Sequence, residues 1–124
     1  MDNRKVIDRT LKQVGVPNSL LGHTYISSVL EKSIPDRNFL KRIVNGVYVN
    51  IAKENDTTPL KVERAIRHAV EVAWIRGNIK ALEKIFGYTV DMERGRPTNA
   101  EFLSCMRDFI VLYGDEVMSG EYIF

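Results

Sequence analysis

VYVNIAKENDTTPLKVERAIRHAVEVAWIRG, residues Val47–Gly77, holds the pattern that decides the fold. In its second half, Pro59–Arg76, the residues Val62, Ala65, Ile66, Ala69, Val70 and Ala73 fall on one stripe when the chain advances by about 100° per residue, the period of an α-helix. The other side carries Leu60, Lys61, Glu63, Arg64, Arg67, His68 and Glu71. Thr58 suits the N-cap, because its hydroxyl can accept from a first-turn amide, and Pro59 suits the first helical position, where no amide donor is needed. Gly77 is the natural stop. Upstream, Val47–Glu54 reads as a shorter helix, and Asn55–Thr58 as a polar turn. Ala52 offers a small side chain where two helices would approach closely. Asp56 tolerates the left-handed backbone such a turn needs. Val62 and Ile66 then return to pack on the first helix. The whole predicts a helix-turn-helix, although any helical hairpin shares this spacing.

Outward from this stretch, the same periodicity predicts about six helices and no strand, hence an all-α fold. The first spans Asn3 to Val14, with Val6, Ile7, Leu11 and Val14 inward, and stops at Gly15 before Pro17. The second spans Leu20 to Lys32, with Gly22 blurring its start, and Ile34-Pro35-Asp36 breaks the chain after it. Phe39 to Glu54 is helical with a weak point at Asn45-Gly46, where a lead-in would give way to the helix from Val47. Ile79 to Phe86 forms a short helix ended by Gly87, and Tyr88 to Pro97 a charged connector. A last helix starts at a capping box, Thr98 with Glu101, and ends at Gly114. These boundaries give a helical domain over 1–114 and a tail over 115–124. The closing Tyr122, Ile123 and Phe124 can dock on the domain, cover a dimer surface or fray.

Composition bounds the functional classes. A chain of 124 residues with 44% hydrophobic and 27% charged residues is one ordinary globular domain, large enough for a core without metals or disulfides. The net charge of +2 permits nucleic-acid binding and does not argue for it; local clustering is what matters. One cysteine, Cys105, excludes an internal disulfide, fits a reducing cytoplasm and reads as a small core residue. No Cys/His spacing suits zinc, and no cofactor is expected. The charged start Met1–Lys5 lacks a signal peptide's apolar core, and no apolar run approaches a membrane span. An enzyme would need a nucleophile–base pair or a carboxylate dyad. Two isolated histidines, one cysteine and no glycine-rich phosphate loop do not supply one, so the expectation is no enzyme.

The Pro59–Arg76 helix carries the chemistry. Arginine can hold guanine O6 and N7 with two parallel bonds, and glutamate can accept from cytosine N4. A solvated helix with charge pairs Glu63–Arg67 and Arg67–Glu71 would show the same spacing.

The run Val62-Glu63-Arg64-Ala65-Ile66-Arg67-His68-Ala69-Val70-Glu71-Val72-Ala73-Trp74 resembles the effector domain of the sporulation master response regulator of endospore-forming bacteria, the stage zero sporulation protein A family. Arg76-Gly77-Asn78, Phe86-Gly87-Tyr88-Thr89-Val90 and Pro97-Thr98-Asn99 continue the resemblance, and Val14-Gly15-Val16-Pro17 and Ile51-Ala52-Lys53 share it upstream. It spans about Leu11 to Leu112. It implies an all-α, six-helix domain that binds double-stranded DNA at a TGNCGAA-like box, forms a homodimer on DNA and contacts an RNA polymerase sigma factor, in the bacterial cytoplasm at the nucleoid. By position it implies base reading by Lys61, Glu63 and Arg64, supported by Arg67 and His68, and phosphate contact at Thr57 and Thr58. It places the sigma-contacting surface around Ile79–Phe86, with Lys80, Glu83 and Lys84 as candidates.

Two positions depart from the family pattern. Lys61 stands where arginine is usual and cannot make the forked guanine contact, and Leu60 replaces a small residue, so box preference can differ. Arg94 and Arg96, before the last helix, can reach phosphate as a wing or stay solvated. The family's effector domain normally follows a phosphorylatable receiver. None is present in this sequence, and Met1 and the unfamiliar tail favour a receiver-free relative, whose activity its own phosphorylation would not gate. The alternative reading is an interaction module that pairs with, or antagonises, a full-length relative.

Overall fold

The computed structural model describes residues 2–87, 90–91 and 95–124. Among these there are six α-helices and no strand: α1 Asn3–Val14, α2 Leu21–Ser33, α3 Val49–Glu54, α4 Pro59–Arg76, α5 Ile79–Phe86 and α6 Asn99–Ser119. None is long and apolar enough to cross a membrane.

Each helix begins and ends where its local chemistry allows. The Asp2 carboxylate caps the amides of Arg4 and Lys5 at the start of α1, and Gly15 closes it in the left-handed region at φ 89°. Thr98 Oγ1 accepts from the Glu101 amide and the Glu101 carboxylate accepts from the Thr98 amide, so the expected capping box opens α6. Between α2 and α3 the helical stretch expected from Phe39, with its weak point at Asn45-Gly46, is divided at an earlier place. The Asp36 carboxylate caps a short 3-10 turn over Arg37–Leu40, the helical winding lapses at Lys41–Arg42, and Ile43–Tyr48 winds as a π-helix, with the Val47 amide bonded to the Arg42 carbonyl at 2.9 Å. The break therefore lies before Asn45-Gly46, and Gly46 sits inside the widened turn.

The core is one cluster. Ile7, Leu11, Ile26, Leu30, Ile51, Ile66, Phe86, Phe102, Leu103, Met106 and Ile110 are all buried in it. Phe86 stacks on Phe102 with ring centroids 5.2 Å apart, and Trp74 meets Phe86 edge-on at the same separation, which puts Trp74 at the edge of the core. α2 crosses α4 at Gly22: a Cβ there would stand 2.2 Å from the Ala65 carbonyl oxygen and 2.7 Å from the Ala69 Cβ. The glycine that blurs the start of α2 in sequence is thus the point where two helices touch. α6 clasps the end of α2, as Arg107 donates to the carbonyls of Ser33 and Ile34, each at 2.9 Å.

The expected end of α6 at Gly114 is overturned. Gly114 is buried within the helix, which continues to Ser119, and Gly120 provides the left-handed cap at φ 82°. The last turn and tail then fold back. Tyr122 packs edge-on against Phe109 at 5.0 Å, Phe124 lies 5.9 Å from the same ring, and Ile123 stays exposed. Of the alternatives open for the tail, docking on the domain is the one observed.

Candidate nucleic-acid interface

The polar turn builds the start of α4 as its residues dictate. The Asn55 amide bonds the Ile51 carbonyl at 3.1 Å, Asp56 takes the left-handed backbone at φ 50°, and the Thr57 amide returns to the Ala52 carbonyl at 3.0 Å. Thr58 Oγ1 accepts from the Lys61 amide at 3.3 Å, and Pro59 occupies the first turn. The hydroxyl proton of Thr58 remains to donate outward, at a helix end whose dipole favours an anion.

Val62, Ile66, Ala69, Val70 and Ala73 are buried. At about 100° per residue, the centre of the opposite face falls at Leu60, Arg64 and Glu71, with Lys61 and His68 to one side and Glu63 and Arg67 to the other. Lys61, Arg64, Arg67 and His68 are exposed, and Leu60 projects beside them at 56% exposure. Among the described residues, no helix covers this ridge.

The charges on the ridge divide. Glu63 pairs with Arg67 at 3.6 Å, as the spacing suggested. Glu71 pairs with Arg96 at 3.1 Å instead of with Arg67, so the loop before α6 reaches across to α4. Lys61 and Arg64 pair with no carboxylate among the described residues. Two cations in the N-terminal half of the ridge therefore keep their positive charge unpaired among the described residues, and the carboxylates of Glu63 and Glu71 are partly neutralised.

Behind the ridge lies an open groove of about 560 Å³ lined by Ile43, Tyr48, Glu63, Arg67, Arg96 and Asn99, among others. Asn99 Nδ2 donates to Tyr48 Oη at 2.9 Å and to the Glu63 carbonyl at 3.2 Å. Burial pushes the Tyr48 phenol up from its ordinary pKa, against the smaller opposing effect of the Asn99 bond, so it stays a neutral hydroxyl.

The expected base readers Lys61, Glu63, Arg64, Arg67 and His68 thus share one face, with Thr57 and Thr58 at its head. Arg96 lies beside it, and Arg94 falls outside the described residues. Lys80, Glu83 and Lys84 are exposed on α5, apart from the ridge; Lys84 Nζ donates to the Ile123 carbonyl and sits 5.7 Å from the centre of the Tyr122 ring. Spacing in the sequence gives no sign of Tyr48 and Asn99, whose partners are far away in the chain; of the two charge pairs that a solvated helix would show, Glu63–Arg67 forms, and Glu71 turns to Arg96. Chemically, the face offers a convex row of long donors with a helix N-terminus at one end, which suits a groove walled by phosphates and floored by hydrogen-bonding edges.

One comparison bears on this surface. The family model described as "Sporulation initiation factor Spo0A C terminal" matches residues 7–110, which runs from within α1 to just past the middle of α6 and includes every residue on the ridge.

Proposed function

The chain belongs to the Spo0A C-terminal family, a family of DNA-binding domains, and from that premise we propose that it binds double-stranded DNA sequence-specifically and regulates transcription of sporulation-type genes at the bacterial nucleoid. α4 enters the major groove. Arg64 is the central base reader, with Lys61 and Glu63 beside it and Arg67 and His68 as supports. Thr57, Thr58 and Arg96 meet phosphate and set register. The observation that carries this reading is Arg64 itself: exposed, opposite the buried stripe, and unpaired among the described residues. A guanidinium held out in this way can make the forked contact to guanine that Lys61, a point charge, cannot.

The duplex expected is a TGNCGAA-like box, bound as a homodimer on DNA, with the exposed Lys80, Glu83 and Lys84 of α5 facing an RNA polymerase sigma factor. The test is fluorescence anisotropy of a box duplex against a scrambled duplex across a salt series. The slope against salt reports phosphate contacts, and the ratio of the two affinities reports base reading. Arg64→Ala should erase a discrimination of about 1–3 kcal/mol and leave the scrambled duplex bound nearly as before. Full preference retained by Arg64→Ala overturns the assignment of that residue, and an absence of preference in the wild type overturns sequence-specific binding.

A further inference from the structure

We propose that Asn99 is a positioning residue for base reading, and that its side-chain amide sets the roll of α4 in the groove; this rests on the DNA-binding reading above. Asn99 is the first residue of α6, but starting that helix does not need its amide, because Thr98 and Glu101 already complete the capping box. Both N–H groups of Asn99 are spent elsewhere. One goes to Tyr48 Oη at 2.9 Å and the other to the Glu63 carbonyl at 3.2 Å, across 51 and 36 positions of chain. Tyr48 is itself buried at the end of the π-helix, so the acceptor on that side cannot swing away.

The Glu63 carbonyl belongs to the residue before Arg64 and is part of the backbone of α4. Asn99 therefore ties the recognition face to two other segments immediately behind the residues that would touch bases. Arg96, three residues before Asn99, also reaches α4 at Glu71, but that pair joins two half-exposed side chains and holds the helix only weakly. A hydrogen bond from a side chain of another element to the helix's own backbone resists rotation of that helix about its axis. The sensitivity is large: a side-chain tip about 6 Å from the axis moves by about 1 Å for a roll of about 10°, twice the ~0.5 Å that a recognition constellation tolerates.

The consequence is a defect in discrimination more than in affinity. A phosphate contact through a flexible lysine or arginine survives a small roll; a forked contact to a base edge does not. Asn99→Ala should lower the ratio of box to scrambled affinity roughly threefold to tenfold, the fold-change expected for a net hydrogen bond, and leave the scrambled affinity and its salt slope unchanged. Asn99→Asp loses the donor to the Glu63 carbonyl and sets a carboxylate against it, while the Tyr48 hydroxyl can donate to that carboxylate, so it should lower the ratio about as far as Asn99→Ala. Tyr48→Phe keeps the ring and removes only the acceptor; it should lower the ratio less, and it should add nothing in the Asn99→Ala background.

The experiment is anisotropy with both duplexes on wild type and the four variants, held well below thermal midpoints measured by circular dichroism. If Asn99→Ala keeps the wild-type ratio, or if both affinities fall together, the proposal is wrong and Asn99 serves folding alone. Should Asn99→Ala fail to fold, Tyr48→Phe decides by the same two criteria. A wild type without box preference is a failure of the DNA-reading premise, and is visible as such before any variant is compared.

Discussion

Replacing Gly22 by alanine tests the packing on which the interface depends. The new methyl would stand 2.2 Å from the Ala65 carbonyl oxygen and 2.7 Å from the Ala69 Cβ, well inside the ~3.5 Å at which non-bonded carbon atoms reach optimal contact. Both obstacles are fixed to the backbone of α4, so no flexible side chain can yield. α2 and α4 must separate by about 1 Å, and overpacking of this kind costs about 1–3 kcal/mol. Because both obstacles are rigid, the clash belongs at the ~2–3 kcal/mol end of that range; alanine recovers up to ~1 kcal/mol of helix propensity, which leaves a net loss of about 1–2 kcal/mol. At roughly 4 °C per kcal/mol for a chain of this size, the thermal midpoint should fall by about 4–8 °C. Circular dichroism melts of wild type and Gly22→Ala measure this directly. Gly46→Ala is the control, because its methyl meets the Arg42 Cβ at 3.2 Å and nothing closer. Since the displaced helix is α4, the box-to-scrambled ratio should fall as well. A midpoint for Gly22→Ala equal to or above the wild type would refute the argument, because the crossing would then be looser than the backbone distances require.

Three further outcomes follow from the same geometry. Thr58→Ala removes the acceptor for the Lys61 amide and should cost about 1 kcal/mol, with Thr58→Ser restoring it; equal melting of all three proteins would show that the cap is not needed. Glu71→Gln releases Arg96 and removes a negative charge from the ridge, so it should tighten binding to both duplexes and steepen the salt slope. Arg96→Ala should weaken both alike, and a change in the ratio of the two affinities for Arg96→Ala would make Arg96 a base reader. Asp108 gives a pH signature. Burial opposes its ionisation, but hydrogen bonds from Arg37 and Arg107 more than offset this and hold its carboxyl below the usual 3.8. A lowered folded pKa means stability that is fully present above the unfolded value and lost as pH falls through the folded one. The acid limb of the midpoint-versus-pH curve below about pH 4 should therefore be shallower in Asp108→Asn, and parallel limbs would contradict the assignment.

Local chemistry made most of the fold legible. α1, α4 and α5 begin and end as their caps and glycines predict, because an amphipathic stripe and a cap act within a few residues. The failures share a cause. Gly114 looked like a stop, yet it is buried in a helix prolonged to carry Val117 into the core and to seat Tyr122 and Phe124 on Phe109. Phe39 to Glu54 reads as helical with a weak point at Asn45-Gly46. The early Asp36 cap and the reach of Tyr48 towards Asn99 divide it differently. The ridge residues were visible as a set because they recur on one helix. The grip on that helix was not, because Arg96, Asn99 and Tyr48 meet α4 only through tertiary packing.

Overall charge says little about this chain, and the arrangement of charge along α4 says more. The net charge is +2, and of the carboxylates on the ridge Glu63 lies against Arg67 and Glu71 against Arg96. Lys61 and Arg64, which pair with no carboxylate among the described residues, fall within the first two turns of the helix, next to the positive end of its dipole. An approaching phosphate backbone meets the strongest potential at the end that carries Thr58 and Arg64. This favours insertion of α4 with its N-terminal half deepest in the groove. Reversing that order requires the positive charge to be moved and the total kept. Arg64→Glu combined with Glu71→Arg leaves the net charge at +2 and should still abolish box preference, while a duplex of any sequence retains its salt-dependent binding. If that double variant discriminated as the wild type does, net charge would suffice and the orientation argued from local pairing would be wrong.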